Sequence, residues 1–106
     1  MRGAATRDPD ESNRQMAAYM LIHFDADWDE WKAAFDNDPA RRAEVATGYT
    51  VSRGVDDPNA IFVRVEFDSV DTARAFAQKL TSTGVLGRFT VKVPPTVVEV
   101  ADSHTY

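Results

Sequence analysis

The 106-residue sequence contains no cysteine and no long apolar run, and acidic residues outnumber basic ones. The lack of cysteine excludes disulfide scaffolds, thiolate metal sites and cysteine nucleophiles. No segment approaches the ~18 apolar residues of a membrane helix, and the first residues lack the apolar stretch of a secretory signal. With 12 Lys+Arg against 17 Asp+Glu the formal charge is −5, whereas binding to nucleic acid or an anionic membrane needs a basic face. We therefore expect a soluble cytoplasmic protein that binds neither nucleic acid nor membrane.

The chain length is typical of one domain with one hydrophobic core. Residues 1–15 hold almost no apolar side chains, so we interpret them as a disordered leader. A single α+β domain is predicted over 16–102, followed by a short C-terminal tail at 103–106. The excess acids concentrate between Asp25 and Asp38, where they are expected to cap a helix and keep its outer face in water.

Hydrophobic periodicity predicts the order strand, helix, hairpin, helix, strand. Capping patterns of the D-x-x-D/E kind mark the starts of the two longer helices. The predicted elements are a strand at 17–24, a helix with an aromatic stripe that begins at Asp27, a short helix at 40–47, a hairpin of strands at 49–54 and 60–67, a helix at 70–80 that begins at Asp68, a short irregular helix at 84–90 and, after Pro94-Pro95, a last strand at 96–101.

This β-α-β-β-α-β order predicts a ferredoxin-like two-layer α+β sandwich, in which the helices cover one face of the sheet. No predicted element is left to cover the other face. The strands at 17–24 and 60–67 are nevertheless largely apolar at both parities, whereas a half-solvated sheet alternates apolar with polar residues. We therefore expect a second copy of the chain to cover the bare face and form a homodimer.

Four segments of the sequence resemble the dimeric α+β barrel superfamily, which includes antibiotic-biosynthesis monooxygenase-type proteins and small polyketide cyclases. They are HFDADWDEWKAAFD (23–36), DDPNAIFVRVEFDS (56–69), VDTARAFAQKL (70–80) and PPTVVEV (94–100). The resemblance implies a barrel of two sheets packed face to face, and a pocket in each protomer between its sheet and its helices. It leaves the activity open, because the superfamily includes oxygenases, cyclases, haem-degrading enzymes and isomerases.

We expect no cofactor and no metal. Haem-degrading members carry a histidine ligand on the second long helix, and the segment 70–80 has none. The Asn-Trp-Tyr set of the quinone-forming monooxygenases does not map onto this chain, because its tryptophans lie on the first helix. Only His23 and His104 are available as histidine ligands, the acids of 25–30 do not follow a calcium loop, and no phosphate or dinucleotide loop is present.

His23 is the most informative candidate for chemistry, because it is the one histidine within the predicted domain and its imidazole exchanges protons near neutral pH. We predict that the strand at 60–67 runs parallel beside the first strand. Glu66 and Arg64 would then share a face with His23, and one of them would orient it as a catalytic acid or base. The alternative is a polar network of these three residues inside the dimer barrel.

Aromatic side chains are candidates for a substrate-binding pocket, with core packing as the alternative for each of them. They are Tyr19, Tyr49, Trp28, Trp31, Phe62 and Phe89. The leading hypothesis is a homodimeric, cofactor-independent enzyme of the cyclase, monooxygenase or isomerase kind. It would act on an aromatic or polyketide-like molecule in the sheet–helix pocket. One alternative is a non-catalytic homodimeric module of the same fold that binds a small ligand or is related to stress. Another is that the dimer itself is the function, with its cavity closed.

Overall fold

The computed structural model describes residues 18–106. The predicted leader at 1–15 and the first residues of the predicted domain lie outside this range. Residues 100–106 follow the last strand without regular secondary structure. The elements in chain order are β1 (Ala18–Asp25), α1 (Trp28–Asn37), α2 (Arg42–Val45), β2 (Gly48–Arg53), β3 (Ala60–Phe67), α3 (Val70–Ser82), a short 3-10 helix (Val85–Arg88) and β4 (Thr90–Glu99).

The four strands form one antiparallel sheet in the order β2-β3-β1-β4. The predicted ferredoxin-like α+β fold is confirmed. The predicted parallel pairing of β1 with β3 is wrong: the two strands are antiparallel, with His23 opposite Phe62 and Tyr19 opposite Glu66. The crossover through α1 makes β2 run in the direction of β1, and the hairpin then turns β3 against both.

The last strand is longer than predicted, because β4 runs through Pro94 and Pro95 rather than starting after them. The strand lies at an edge of the sheet, where a missing backbone N–H is tolerated. Pairing with β1 also shifts there, from Leu21 opposite Thr96 to His23 opposite Val93. This bulge gives β4 one extra residue and accommodates the two prolines.

The starts of the two longer helices are fixed by side-chain caps. The Asp27 carboxylate accepts the N–H of Glu30 at 3.1 Å, as the capping pattern predicts. In α3 the cap is Ser69, whose Oγ accepts the N–H of Thr72 at 3.1 Å. The predicted start at Asp68 is therefore one residue too early.

The hydrophobic core lies between one face of the sheet and the helices. It contains alternate residues of β1 and β3 together with Trp31, Ala40, Ala73 and Phe76. The opposite face, here called the bare face, is not covered by any element of the described chain. Leu21 is 37% exposed and Phe62 45% exposed on it. The two-sided apolar pattern of the strands predicts this uncovered apolar face. That a second chain covers it stays a prediction.

Candidate functional site

A cavity lies between the helix-covered face of the sheet and the helices. It encloses about 60 Å³, and about 530 Å³ when the space in its open mouth is included. Within the described chain, its lining residues are apolar except for Asp38 and Arg42. Five of them are aromatic, namely Phe24, Trp31, Phe35, Phe76 and Phe89. Apolar cavities with few polar groups are the usual form of small-molecule sites in proteins.

Four of the five aromatic rings that line the cavity contact one another in a chain. Trp31 stacks on Phe35 with ring centroids 4.8 Å apart, and Phe24 lies tilted 5.6 Å from Trp31. Phe89 meets Phe24 edge-on at 6.2 Å. The i, i+4 spacing of Trp31 and Phe35 places both rings on one face of α1. The rings hold one another in place, and they present π faces and edges to a flat unsaturated ligand.

The turn between α1 and α2 forms part of the cavity wall. Asp38 ends α1 in a left-handed conformation with φ 51°, and Arg41 has φ 58°. The Asp38 carboxylate accepts the N–H groups of Arg42 at 2.7 Å and of Ala43 at 3.1 Å. This side chain therefore fixes the first turn of α2 against the end of α1.

Arg42 is held on the cavity wall by contacts on several sides. Its guanidinium carbon lies 3.7 Å from the centroid of the Phe35 ring and 5.0 Å from that of Tyr49. Its Nη1 donates to the carbonyl oxygen of Phe35 at 3.3 Å and lies 3.4 Å from Oδ1 of Asp38. The side chain is only 13% exposed. Arg42 is thus an ordered cation beside an aromatic cavity.

Arg42 and Asp38 are the site residues that the sequence analysis missed. The sequence places Arg41 and Arg42 together after Pro39, and nothing in that pair tells which one turns inward. In the structure the Arg41 side chain is 68% exposed and its Nη1 binds Glu44 at 2.9 Å. The one signal in the sequence is that this Arg-Arg pair follows the bend at Pro39, directly after the helix that carries Trp31 and Phe35.

The structure divides the predicted site residues between the two faces of the sheet. Trp31 and Phe89 line the cavity. Two more lie close to its wall: Trp28 stacks on Trp31 at 5.7 Å, and Tyr49 meets Phe35 edge-on at 4.9 Å. The rest occupy the parity of β1 and β3 that forms the bare face, namely Tyr19, His23, Phe62, Arg64 and Glu66.

The predicted pairing of His23 with Glu66 is wrong, because the antiparallel register puts Glu66 opposite Tyr19, toward the other end of β1. The His23 ring instead stacks on Phe62 at 4.1 Å. Arg64 Nη2 lies 3.6 Å from Glu66 Oε2, and its guanidinium carbon lies 4.9 Å from the Tyr19 ring. The prediction that His23 shares a sheet–helix pocket with the helix aromatics is also wrong, because its parity turns it to the bare face.

A wide, open depression on the bare face surrounds His23, and we call it the sheet groove. It spans about 790 Å³, including open solvent. Its walls mix apolar side chains such as Leu21 and Val93 with polar ones such as Thr50 and Arg64. The sheet groove is shallow in one chain and would become enclosed only if another surface covered it.

No metal-binding cluster of three or more His, Cys, Asp or Glu residues occurs within 18–106. The helices of the same range include none that is long and apolar enough to cross a membrane. The cytoplasmic location stays a prediction.

The sequence matches no family model and no curated protein, but solved structures resemble the fold. A candidate antibiotic biosynthesis monooxygenase from Bordetella bronchiseptica aligns at TM-score 0.60 and 19% identity, over 85% of this chain and 100% of that one. A second such candidate, from Chloroflexus aurantiacus, aligns at 0.54 and 17%, over 84% and 97%. Rv0793 of Mycobacterium tuberculosis aligns at 0.57 and 13%, over 84% and 97%. At these identities the similarity shows a shared fold and no more.

Proposed function

We propose that this chain forms a homodimeric, cofactor-independent enzyme that acts on a small aromatic molecule held in the sheet–helix cavity. The observation that carries this proposal is the cavity itself, whose wall combines five aromatic rings with one charged pair, Asp38 and Arg42. The fold is shared with structures described as candidate antibiotic biosynthesis monooxygenases. That similarity favours an oxidation over the cyclase and isomerase reactions.

The dimer is part of the proposal because large apolar side chains are exposed on the bare face. Leu21, Phe62 and Val93 are each more than a third exposed on this one surface. Contiguous apolar patches of this kind mark protein interfaces. A second chain seated on the bare face would enclose the sheet groove and leave the sheet–helix cavity of each protomer accessible from outside.

A two-ring ligand would extend from the enclosed part of the cavity into its open mouth, and the number of its atoms limits the expected affinity. A ligand of about twelve heavy atoms that gains roughly 0.3 to 0.5 kcal/mol per atom has a dissociation constant between roughly 50 μM and 2 mM. Binding in this range is measured by calorimetry or NMR.

A second candidate function is binding without catalysis, and one observation favours it. Asp38, which carries the one carboxylate among the described lining residues, uses both oxygens to hold α2. His23, predicted as the acid or base, lies on the opposite face of the sheet. A reaction in this cavity would therefore depend on the reactivity of the ligand more than on a free acid or base.

A matched pair of variants tests the cavity as the binding site. Ala34 lines the cavity, whereas its neighbour Ala33 is exposed on the outer side of α1. We expect Ala34→Trp to fill the cavity and weaken binding of 2-naphthoate at least tenfold, while Ala33→Trp binds as the wild type does. Equal binding by both variants would place the ligand elsewhere and contradict the proposal.

Oxygen uptake separates the two candidate functions. The wild type, Ala34→Trp and Ala33→Trp are each mixed with a panel of hydroxylated two-ring and three-ring aromatics, and dissolved oxygen is followed with and without protein. Consumption that Ala34→Trp lacks would support the enzyme. Binding of these compounds without consumption would support the non-catalytic module.

A further inference from the structure

We propose that Arg42 selects the ligand of the cavity by binding two coplanar oxygen atoms at one edge of a flat aromatic molecule. An aromatic carboxylate carries such a pair, and so does a carbonyl with a neighbouring phenolic oxygen. The inference rests on the proposed function of the cavity, and it names the class of molecule that the cavity takes.

The hydrogen-bond donors of Arg42 are only partly used by the described residues. A guanidinium carries five N–H donors and no acceptor. Only Nη1 has protein partners within residues 18–106, namely the Phe35 carbonyl oxygen and Oδ1 of Asp38. The N–H bonds of Nε and Nη2 point in parallel along the other edge of the plane, the geometry that binds paired oxygens in a bidentate manner.

The Arg42 side chain is largely buried. The Arg42 side chain is 87% removed from solvent in the single chain, and the Phe35 ring covers one face of its guanidinium. Buried donors are almost always paired, because an unpaired one loses its hydration without compensation. A ligand with acceptor oxygens, entering the cavity that Arg42 lines, would satisfy the free edge.

Arg42 is held in place before any ligand binds. Asp38 fixes the backbone of Arg42 through its N–H, and the Phe35 ring and carbonyl fix its guanidinium. Little side-chain freedom is left to lose when a ligand binds, which favours affinity and selectivity. The Arg41 guanidinium is instead exposed and pairs with Glu44.

The charge of the site suits an oxygen pair better than a strong polyanion. Asp38 lies 3.4 Å from Nη1 and partly balances the charge of Arg42, so the site offers directional donors more than net positive charge. A phosphate would meet the Asp38 carboxylate close by. A monoanionic carboxylate or a neutral hydroxy-carbonyl group meets less repulsion.

The experiment compares ligands that share a naphthalene ring in titrations of the full chain. The probes are 2-naphthoate, 1-hydroxy-2-acetylnaphthalene and the neutral 2-naphthalenemethanol. We expect the wild type to bind at least one of the first two at least tenfold more tightly than the alcohol. If 2-naphthoate is preferred, the two oxygens are those of a carboxylate. If 1-hydroxy-2-acetylnaphthalene is preferred, they are those of a hydroxy-carbonyl group. Equal binding of all three probes would overturn the inference and leave the proposed cavity function standing, and no binding of any would overturn both.

Variants then assign the preference to Arg42. Arg42→Gln should lose the tenfold preference, whereas Arg41→Gln should keep it and bind the alcohol within twofold of the wild type. Arg42→Lys keeps the charge without the planar fork, and it should lose at least threefold of the preference. If Arg42→Gln melts below the assay temperature, Arg42→Lys alone decides. A variant of Arg42 that is folded and retains the full preference would show that Arg42 is only a structural contact and overturn the inference.

Discussion

His23 and Phe62 stack nearly face to face across β1 and β3, with ring centroids 4.1 Å apart and ring planes inclined by 17°. Both rings lie on the bare face, with Val93 of β4 paired to the other side of His23. The contact gives this imidazole an aromatic neighbour where a carboxylate was predicted. It also places a flat, half-buried surface in the middle of the face that we propose a second chain covers.

Phe62→Asp tests the proposed dimer. A charge in the centre of a buried interface loses its hydration without a partner, so we expect the variant to be a monomer at concentrations where the wild type is a dimer. Light scattering coupled to size exclusion at about 20 μM measures the mass. Val55→Asp is the control, because Val55 is 98% exposed in the turn between β2 and β3 and its replacement should leave the dimer intact. A monomeric wild type would contradict the proposal.

His23→Ala separates a role in the dimer from a role in the cavity. The substitution removes the ring that stacks on Phe62, which costs the single chain about 0.5–1.5 kcal/mol in the free energy of unfolding. It also removes apolar surface from the middle of the bare face, so we expect a weaker dimer. Binding of 2-naphthoate in the cavity should stay within twofold of the wild type. If the dimer were unchanged and oxygen uptake abolished, His23 would be the catalytic acid or base of the original prediction.

Asp38→Ala tests the device that positions Arg42. Its carboxylate accepts two backbone N–H groups at the start of α2, and loss of such a cap costs about 1–2 kcal/mol in the free energy of unfolding. Urea denaturation measures the change. The control is Asp36→Ala, which removes an exposed ion pair with Lys32 and should cost less than about 0.5 kcal/mol. Equal effects of the two substitutions would rule out the cap as the cause.

Gly54→Ala tests the turn of the hairpin that pairs β2 with β3. A Cβ at this position would lie 2.5 Å from the carbonyl oxygen of Asp57, which is backbone and cannot swing away. We expect a loss of about 1–3 kcal/mol in the free energy of unfolding. Gly87→Ala is the matched control, since a Cβ there meets no atom within 4 Å, and it should change stability by less than about 0.5 kcal/mol. Thermal melts of the two variants decide.

The sequence predicts the element order and the bare face because both rest on periodicity, a local property. The antiparallel direction of β3 follows from the same order, because the crossover through α1 keeps β2 in the direction of β1 and the hairpin then reverses β3. The predicted parallel pairing is therefore excluded by the element order itself. The two parities of β1 are both apolar, so the pattern does not tell that Met20 and Ile22 face the helices while Leu21 and His23 face away. The predicted site consequently combined residues from both faces.

The misplaced start of β4 and the missed Arg42 have related causes. Prolines normally stop strands, and Pro94 and Pro95 are tolerated only because β4 is an edge strand with a bulge, which no local pattern shows. Arg42 turns inward because Asp38 reverses the chain in a left-handed conformation. The left-handed backbone of Asp38 thus determines that Arg42, and not the adjacent Arg41, lines the cavity.

We propose that the ligand binds in the sheet–helix cavity and not in the sheet groove. Isotope-filtered NOEs between 2-naphthoate and the ¹³C-labelled protein distinguish the two sites. We predict NOEs from the naphthalene protons to the methyl groups of Ala34, Leu80 and Leu86, which line the cavity. NOEs to the methyl groups of Leu21 and Val93 instead, on the walls of the sheet groove, would contradict the account.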